Sequence, residues 1–522
     1  MPNVDLWMFL LIWGVWILIP VLVDGLQSVA RLLGALLSWA HRPPHNVVRH
    51  APRVSVIIPA YNEEKVIDRC ISALKVQTYP HRLIEVFVID DGSADNTVEI
   101  VNGHVNGNGN GNGHGPHNGD NANGNGNEVY TAHDAGHNGG NGKVRINGHS
   151  IPVGDFAGTL HLIAHSHQGK ARAVNAGIRH ASGDLIVCID SDVVLAPDAI
   201  EKIVHAFDED RRMGAATVHL EIDETLIQAQ DYAGSLCWDR NGDPLTHPLR
   251  WGQRFLAHSQ FLEYLNAFRV GRQAESAANV LFTLAGACSV FRRRVILQTQ
   301  LYREVTVSED TDLTFLLHRL RTRIRYLPQV KVYLEPLISW DALYAQRVRW
   351  QRGQLEVCSV HQDMVGNRRF GLFGLWSLPF RLQGDHTMAF PRLIWTFLLP
   401  LFPYLGYPLS IVFWALLAMY GLYILVEYLH VAVAYALIDA DSRQRARASL
   451  GWVLLMPFYR FICFYFRMSG ALVTLREPPR WRQLGPLERW KTSARLVLQT
   501  VANGRQVLGG LLRSDRWVED GG

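Results

Sequence analysis

Two aspartates, Asp190 and Asp192, follow a short apolar run and are separated by one serine. If the backbone stays extended, side chains two residues apart point the same way, so both carboxylates can share one divalent cation. A hard cation such as Mg²⁺ or Mn²⁺ prefers such oxygen ligands, and its coordination is often completed by diphosphate oxygens. An Asx turn that closes a strand uses the same residue types, and the spacing alone leaves both interpretations open.

A second set of candidate residues lies on one face of a predicted helix. Gln346, Arg349 and Trp350 stand at positions i, i+3 and i+4, which are neighbours on a helix surface. An arginine there can pair with a diphosphate, and a tryptophan offers a flat surface on which a sugar can stack. The alternative is a helix at a membrane surface, where Trp and Arg act as interfacial anchors.

Three short apolar runs must position the first of these residues. Residues 54–58, 86–89 and 185–189 are rich in β-branched side chains and too short for helices, so we predict buried parallel strands. Each run ends in a polar cluster, at 61–64, 90–93 and 190–192. Because ligands bind at the carboxyl edge of an open α/β sheet, we expect these clusters to converge there.

These strands belong to a predicted α/β domain that spans residues 50–336. An Asn-Gly-rich tract at 102–150 interrupts it. The tract has almost nothing to bury, so we predict a disordered surface insertion. Weak metal binding by its histidines is the alternative, although flexible histidines lack the fixed geometry that a metal site needs. The histidines in question are His104, His114, His117, His133 and His137.

Long apolar stretches predict an integral membrane protein. Residues 1–40 contain an apolar segment without a basic start or a cleavage site, which favours a retained N-terminal anchor. Residues 341–380 are predicted to form interfacial helices and 390–475 membrane helices, with a division near three prolines. Within the latter, Arg460 and Arg467 favour an interfacial or re-entrant segment after residue 450. A basic loop at 443–447 indicates the cytoplasmic side, and 476–522 form a basic tail.

Composition excludes two classes of function. The formal net charge of +4 is too small for a nucleic-acid-binding surface, so no nucleic-acid partner is expected. The 6 cysteines lie far apart, and none forms a Cys-x-x-Cys pair. That spacing argues against a zinc site or a dense disulfide framework and favours reduced thiols in a cytoplasmic domain.

Taken together, the motifs resemble those of the family-two glycosyltransferases. The motifs that carry this resemblance occur in the family's order at 54–64, 88–93, 169–177, 190–192, 308–310 and 346–350. The last one resembles the Gln-x-x-Arg-Trp signature of processive members such as cellulose, chitin, hyaluronan and poly-N-acetylglucosamine synthases. The resemblance implies an α/β fold: a GT-A-like nucleotide-sugar-binding domain with a mainly parallel sheet, joined to α-helical transmembrane and interfacial helices.

The resemblance also implies a role for each candidate residue. Tyr61, Glu63 and Asp91 would hold the uracil and ribose of a UDP-sugar, and Lys170 would lie near the nucleotide. Asp190 and Asp192 would hold Mg²⁺ or Mn²⁺. Gln346, Arg349 and Trp350 would complete the donor site, with the tryptophan also facing the acceptor sugar.

In the family's Thr-Glu-Asp motif the final Asp is the general base, which implies this role for Asp310. Ser308 replaces the threonine and keeps its hydroxyl. The carboxylate would take the proton from the acceptor hydroxyl as it attacks the anomeric carbon, with inversion. Ser308 followed by acids also predicts a helix start with Ser308 as N-cap, and both interpretations can hold together.

The expected function is therefore that of an inverting, metal-dependent hexosyltransferase that uses a UDP-sugar to extend a β-linked polysaccharide. Expected partners are the donor, the growing glycan acceptor, membrane lipid and accessory export subunits. The expected location is the plasma membrane, with several spans and a cytoplasmic catalytic domain. Two alternatives stay open: a non-processive transferase that acts on a lipid acceptor, and a catalytically silent membrane subunit of a polysaccharide synthase.

Overall fold

The computed structural model describes most of the predicted catalytic domain and the helices that follow it. The described residues are 28–29, 32–34, 51–105, 128–132, 143–146, 149–152, 156–227, 248–382, 398–406 and 408–474. Apart from 28–29 and 32–34, the predicted anchor at 1–40 lies outside these residues, as does the basic tail at 476–522.

A nine-stranded sheet, in the order β3-β6-β2-β1-β7-β10-β9-β11-β8, forms the centre of the domain. The strands are β1 (Val54–Ala60), β2 (Ile84–Asp90), β3 (Glu128–Ala132), β4 (Lys143–Ile146), β5 (His149–Pro152), β6 (Thr159–Ala164), β7 (Leu185–Ile189), β8 (Val194–Leu195), β9 (Met213–Ile222), β10 (Cys288–Arg292) and β11 (Arg323–Leu334). Strand β1 pairs in parallel with β2 and β7, and β2 pairs in parallel with β6. Strand β10 is antiparallel to β7 and β9, so the sheet is mixed but mainly parallel.

The three predicted strands are confirmed as β1, β2 and β7. Every residue in each of them is buried. Burial along a whole strand is typical of parallel strands that are covered on both faces, which explains their unbroken apolar runs. Their carboxyl ends meet at one edge of the sheet, as expected.

The helices are α1 (Ile67–Lys75), α2 (Thr97–Val105), α3 (Lys170–His180), α4 (Ala199–Glu209), α5 (Trp251–Leu265), α6 (Gln273–Ala277), α7 (Arg293–Ile296), α8 (Glu309–Arg319), α9 (Trp340–Val360), α10 (Leu378–Arg381), α11 (Leu409–Leu437), α12 (Ala440–Ser449) and α13 (Met456–Thr474). A π-helical stretch, Asn266–Arg272, joins α5 to α6. Helices α1, α3 and α4 contribute apolar side chains to the same core as the sheet. Helix α9 begins at a serine cap, since Ser339 Oγ accepts from the Ala342 amide at 3.1 Å.

The predicted disordered insertion at 102–150 contains regular structure. Helix α2 extends to Val105, β3 pairs antiparallel with β6, and β4 and β5 form a separate two-stranded sheet. An edge strand gains backbone hydrogen bonds even in a tract of low apolar content, which accounts for β3. The rest of the predicted insertion lies outside the described residues. Of the five histidines considered as weak ligands, His104 pairs with Asp68 at 2.9 Å, and the other four lie outside the described residues.

Two helical segments are long and apolar enough to cross a membrane, by length and composition: Val412–Leu437 and Ala440–Thr474. The predicted division near the prolines agrees with a 3-10 turn at Leu399–Leu405, which contains Pro403 and precedes α11. The segment after residue 450, predicted to be interfacial or re-entrant, forms α13. Its two arginines contact protein partners: Arg460 pairs with Glu427, and Arg467 donates to Gln351 at 2.9 Å.

Buried charges fasten α12 to the sheet. Glu221, at the end of β9, accepts from Ser442 Oγ at 2.8 Å and pairs with Arg445 and, at 3.7 Å, with Lys331 of β11. Burial alone would raise the pKa of Glu221, but His219 and Arg445 hold it well below its usual value. The basic segment 443–447 was predicted to be a loop and is instead part of this helix, on the side of the catalytic domain.

Candidate active site

The predicted diphosphate and base residues meet at the carboxyl edge of the sheet. Lys170, the first residue of α3, places its Nζ 2.6 Å from Asp190 Oδ1 and 3.7 Å from Glu309 Oε1. Burial by itself would lower the pKa of Lys170, but the charges of Asp190 and Glu309 outweigh it and raise the pKa. Lys170 is therefore a fixed cation that links the end of β7 to the start of α8.

Two further carboxylates, Glu63 and Asp192, interact electrostatically with Asp190. Burial and, next, the charge of Asp192 raise the pKa of Glu63 to about 7. The Asp192 side chain is reached by solvent but surrounded by protein, and this partial desolvation together with Asp190 raises the pKa of Asp192 to about 6. Glu63, predicted to act with Tyr61 and Asp91, thus faces the Asp190–Asp192 pair. Mutual repulsion of this kind favours a bound cation or a bound proton.

Glu63→Gln is expected to stabilise the ligand-free protein at pH 8 by roughly 1–3 kcal/mol, allowing for solvent screening. Because the pKa of Glu63 rises from 4.5 to about 7 in the fold, this carboxyl takes up a proton on folding. Its contribution to stability is present at low pH and lost as the pH rises through 7. The neutral amide avoids that loss, so the gain should shrink as the pH falls toward 4.5. Thermal melting at several pH values measures it, and an equal gain at every pH would contradict the assignment.

The Asp91 carboxylate directly follows β2 and fixes the turn into α3. The surface between this turn and the start of α8 is the candidate cleft. Asp91 is buried and accepts from the amides of Gln168 and Gly169, each at 2.8 Å. Gly169 has a φ of 96°, which favours glycine at this turn into α3. His167 Nδ1 lies 2.9 Å from Asp91 Oδ2, and its ring stacks on Tyr61 at a centroid distance of 4.3 Å. Sequence reasoning missed His167, whose one signal is its position just before the Gly169 motif.

Asp310 lies on the first turn of α8, at the inner wall of the cleft. Its Oδ2 accepts from the Gly286 amide at 3.0 Å and its Oδ1 from the Thr311 amide at 2.7 Å. A Cβ at position 286 would lie 3.2 Å from Asp310 Oδ2, so glycine allows this close approach. Ser308 occupies the N-cap position as predicted, but its side chain makes no capping hydrogen bond. The hydroxyl packs against α9 instead.

The Gln-x-x-Arg-Trp face of α9 borders the same cleft. Arg349 is exposed, and its positive charge acts on both Lys170 and Glu309. The pKa of Glu309 is nevertheless raised, chiefly because the carboxyl is buried. Trp350 is half-buried, 6.5 Å from the Tyr264 ring, and the guanidinium of Arg347 lies 4.5 Å from its ring centroid. The buried carbonyl oxygen of the Gln346 side chain has no hydrogen-bond partner among the described residues.

Arg347 packs beneath this face of α9. The sequence did not predict its role. It is buried, pairs with Glu263 of α5 and donates to Tyr459 of α13 at 3.1 Å. Its position inside the motif gave no signal, because the partners come from distant parts of the chain. The result is that α5, α9 and α13 share one buried ion pair beneath Trp350.

Comparison with known families covers both halves of this cleft. Residues 55–119 match the family described as "Glycosyl transferase family 2", and residues 156–353 match "Glycosyltransferase like family 2". The chain belongs to the family-two glycosyltransferases. The predicted enzyme class and the predicted fold class, a GT-A-like α/β domain with a mainly parallel sheet and added helices, are therefore confirmed.

Individual relatives are distant in sequence. The chain is 22% identical over 453 residues to a poly-beta-1,6-N-acetyl-D-glucosamine synthase of Staphylococcus epidermidis, covering 85% of this chain and 88% of the relative. A mannosyltransferase structure from Pyrobaculum calidifontis, in complex with GDP-Man and Mn²⁺, has 16% identity and a TM-score of 0.48, covering 88% of this chain and 98% of the other. S. aureus TarS 1–349 with UDP-GlcNAc has 14% identity and a TM-score of 0.34, covering 82% and 93%.

Proposed function

We propose that this family member is an inverting transferase that moves a sugar from a UDP-sugar donor onto a growing β-linked polysaccharide. The observation that carries the proposal is the bridge from Asp190 through Lys170 to Glu309, the residue beside Asp310. The bridge supports the proposal because groups suited to a diphosphate and a carboxylate suited to a proton lie along one edge of the sheet.

Asp190 and Asp192 are suited to a divalent cation. Burial and the neighbouring Asp190 charge raise the pKa of Asp192 to about 6, and a cation would relieve that repulsion. In the described part of the chain no group of three or more His, Cys, Asp or Glu side chains is placed to hold a metal ion. The two carboxylates would share Mg²⁺ or Mn²⁺ with donor oxygens. Such a cation neutralises charge on a leaving diphosphate.

The donor would lie along the cleft from Tyr61 to Arg349. Tyr61 and the buried Asp91 would hold the uracil and ribose, since an aromatic ring stacks on a base and a fixed carboxylate accepts from ribose hydroxyls. Lys170 would contact the diphosphate, and Arg349 would pair with it from α9. The Lys170 and Arg349 side chains would then stabilise, from two sides, the negative charge that develops on the diphosphate as its bond to the sugar breaks.

Asp310 and Trp350 would serve the acceptor. The two amide hydrogen bonds fix the Asp310 carboxylate without neutralising it. Asp310 would take the proton from the acceptor hydroxyl as that oxygen bonds to the anomeric carbon and the diphosphate leaves from the opposite face. Trp350 would hold the acceptor sugar by stacking.

We also propose a location at the plasma membrane, with the catalytic domain in the cytoplasm. In the part of the chain that the structure describes, two apolar helical segments are long enough to span a membrane. The basic residues of α12 lie on the same side as the catalytic domain, which agrees with a cytoplasmic position. Membrane lipid and polysaccharide export subunits are the proposed further partners.

UDP release by the detergent-solubilised full chain tests the proposal. The panel of UDP-sugars starts with UDP-GlcNAc, because the staphylococcal relative is named for a polymer of that sugar. We expect release with one donor, in Mg²⁺ or Mn²⁺, that a chelator abolishes. Product sizing then separates the alternatives: long chains indicate polymerisation, and single additions indicate a lipid acceptor. No turnover and no donor binding would favour a silent subunit.

A further inference from the structure

Glu356, in the C-terminal half of α9, holds the segment that leads into α8 by a hydrogen bond. It is the first of two such contacts, here called grips. Glu356 Oε2 accepts from the Val307 amide at 2.9 Å, and Glu356 Oε1 accepts from Arg352 Nε at 2.7 Å. The Glu356 and Arg352 side chains are only 11% and 8% exposed, so the hydrogen bonds are shielded from water. A shielded, charge-assisted hydrogen bond of this kind holds a backbone segment firmly.

One turn earlier on α9, the two helices touch directly. A Cβ at position 353 would lie 1.9 Å from Ser308 Oγ and 2.5 Å from Ser308 Cβ. Glycine at 353 therefore allows the start of α8 to rest on α9. Because of this contact, the Ser308 hydroxyl faces α9 and makes no capping hydrogen bond to α8.

A second grip follows just after α9 ends. His361 Nε2 lies 2.9 Å from Asp312 Oδ1, and Arg319 Nε donates to His361 Nδ1 at 3.2 Å. Because Arg319 can only donate, Nδ1 is the acceptor, which fits a proton on Nε2 facing Asp312; Arg303 Nη2 also lies 3.2 Å from Nε2. Arg303 Nε donates to Asp312 Oδ2 at 2.8 Å. Asp312 and His361 are both buried.

We propose that Glu356 and His361 are positioning residues that hold the Asp310 carboxylate in register with the Gln346, Arg349 and Trp350 face of α9. The two grips, at Val307 and Asp312, flank Asp310 along the chain. Glu356 lies on α9, which carries the acceptor face, and His361 directly follows it, so the base and the acceptor face are held together. This inference rests on the proposed transferase function.

Kinetics of Glu356→Ala test the proposal. Displacing a catalytic group by about 1 Å can cost roughly 100-fold in rate, so we expect kcat to fall by about 10–100-fold. The donor KM should stay within about twofold, since the nucleotide end of the cleft is untouched. Glu356→Gln keeps an oxygen that accepts from the Val307 amide and should recover most of the rate. Glu201→Ala is the control, because the Glu201 carboxylate also accepts one helix-to-loop hydrogen bond, from Thr78 Oγ1 at 2.6 Å, but at an exposed position.

A purely structural role would lower kcat, donor affinity and the melting temperature together, with no recovery in Glu356→Gln, and would overturn the proposal. Glu356→Asp keeps the charge but is too short to reach Val307, so it serves if Glu356→Ala does not fold. His361→Gln changes the group that donates to Asp312. As in Glu356→Ala, kcat should fall while the donor KM stays nearly constant.

Hydrogen exchange of residues 306–312 provides a readout independent of turnover. Faster exchange in Glu356→Ala than in Glu201→Ala supports the grip even if the wild type transfers no sugar, in which case the proposed function alone fails. Unchanged exchange overturns the grip whatever the activity. Faster exchange with an unchanged kcat in an active enzyme overturns the link to catalysis.

Discussion

Asp310→Asn is expected to lower the rate of sugar transfer by about 10²–10⁴-fold while donor binding persists. The amide occupies nearly the same volume, but its one carbonyl oxygen can accept from only one of the Gly286 and Thr311 amides, so α8 should be retained with some loss of stability. It cannot accept a proton from the acceptor hydroxyl. Steady-state UDP release measures the rate, and calorimetric titration with the UDP-sugar measures binding.

Asp198→Asn is the matched control for this variant. Asp198 occupies the N-cap of α4 and pairs with Lys202 at 2.6 Å, away from the cleft residues described above. It should leave the transfer rate unchanged. Transfer at the wild-type rate by Asp310→Asn would remove Asp310 from the mechanism and favour a silent subunit whose partner carries the activity. Loss of donor binding in Asp310→Asn would instead assign this residue to the donor site.

Glu221→Ala is expected to destabilise the folded protein by about 3–5 kcal/mol. The substitution removes the one carboxylate that both Arg445 and Lys331 contact. Arg445 keeps Asp223 at 3.7 Å and Lys331 keeps Asp439, so the cost should lie at the low end of this range. Breaking a buried pair is still more costly than losing an exposed one. The described cysteines are free and buried, so a thiol-reactive dye reports thermal unfolding in detergent.

Glu224→Ala controls for the loss of a nearby carboxylate. Glu224 is exposed, and its removal should change the free energy of unfolding by less than about 0.5 kcal/mol. The double variant Glu221→Ala with Arg445→Ala should be less destabilised than the sum of the single variants. Strict additivity would show that Glu221 and Arg445 do not act as a pair.

The parts of the cleft that could be predicted are those encoded in short stretches of chain. Strands β1, β2 and β7 were recognisable because buried parallel strands need unbroken apolar runs, and the polar cluster after each run marks the sheet edge. The Gln346, Arg349 and Trp350 face followed from helix geometry alone. Local spacing was sufficient in each of these cases.

The parts that could not be predicted depend on partners distant in sequence. Arg347 is held by Glu263 and Tyr459, and nothing near residue 347 points to either of them. Ser308 looked like a capping residue, but close contact with Gly353 of α9 directs its hydroxyl elsewhere. Edge strand β3 lies in a tract whose average composition resembles a disordered segment, and its pairing with β6 outweighs that average.

The attachment of α12 to β9 and β11 bears on how a long product would move. Helix α12 continues through a 3-10 turn, Leu450–Leu455, into α13. The ion pair between Glu221 and Arg445 therefore joins this apolar segment to the sheet that carries the cleft. These contacts hold β9 and β11 against the start of the apolar segment. In a polymerising enzyme, each cycle would then advance the glycan by one sugar past a stationary cleft, and the catalytic domain would not swing between additions.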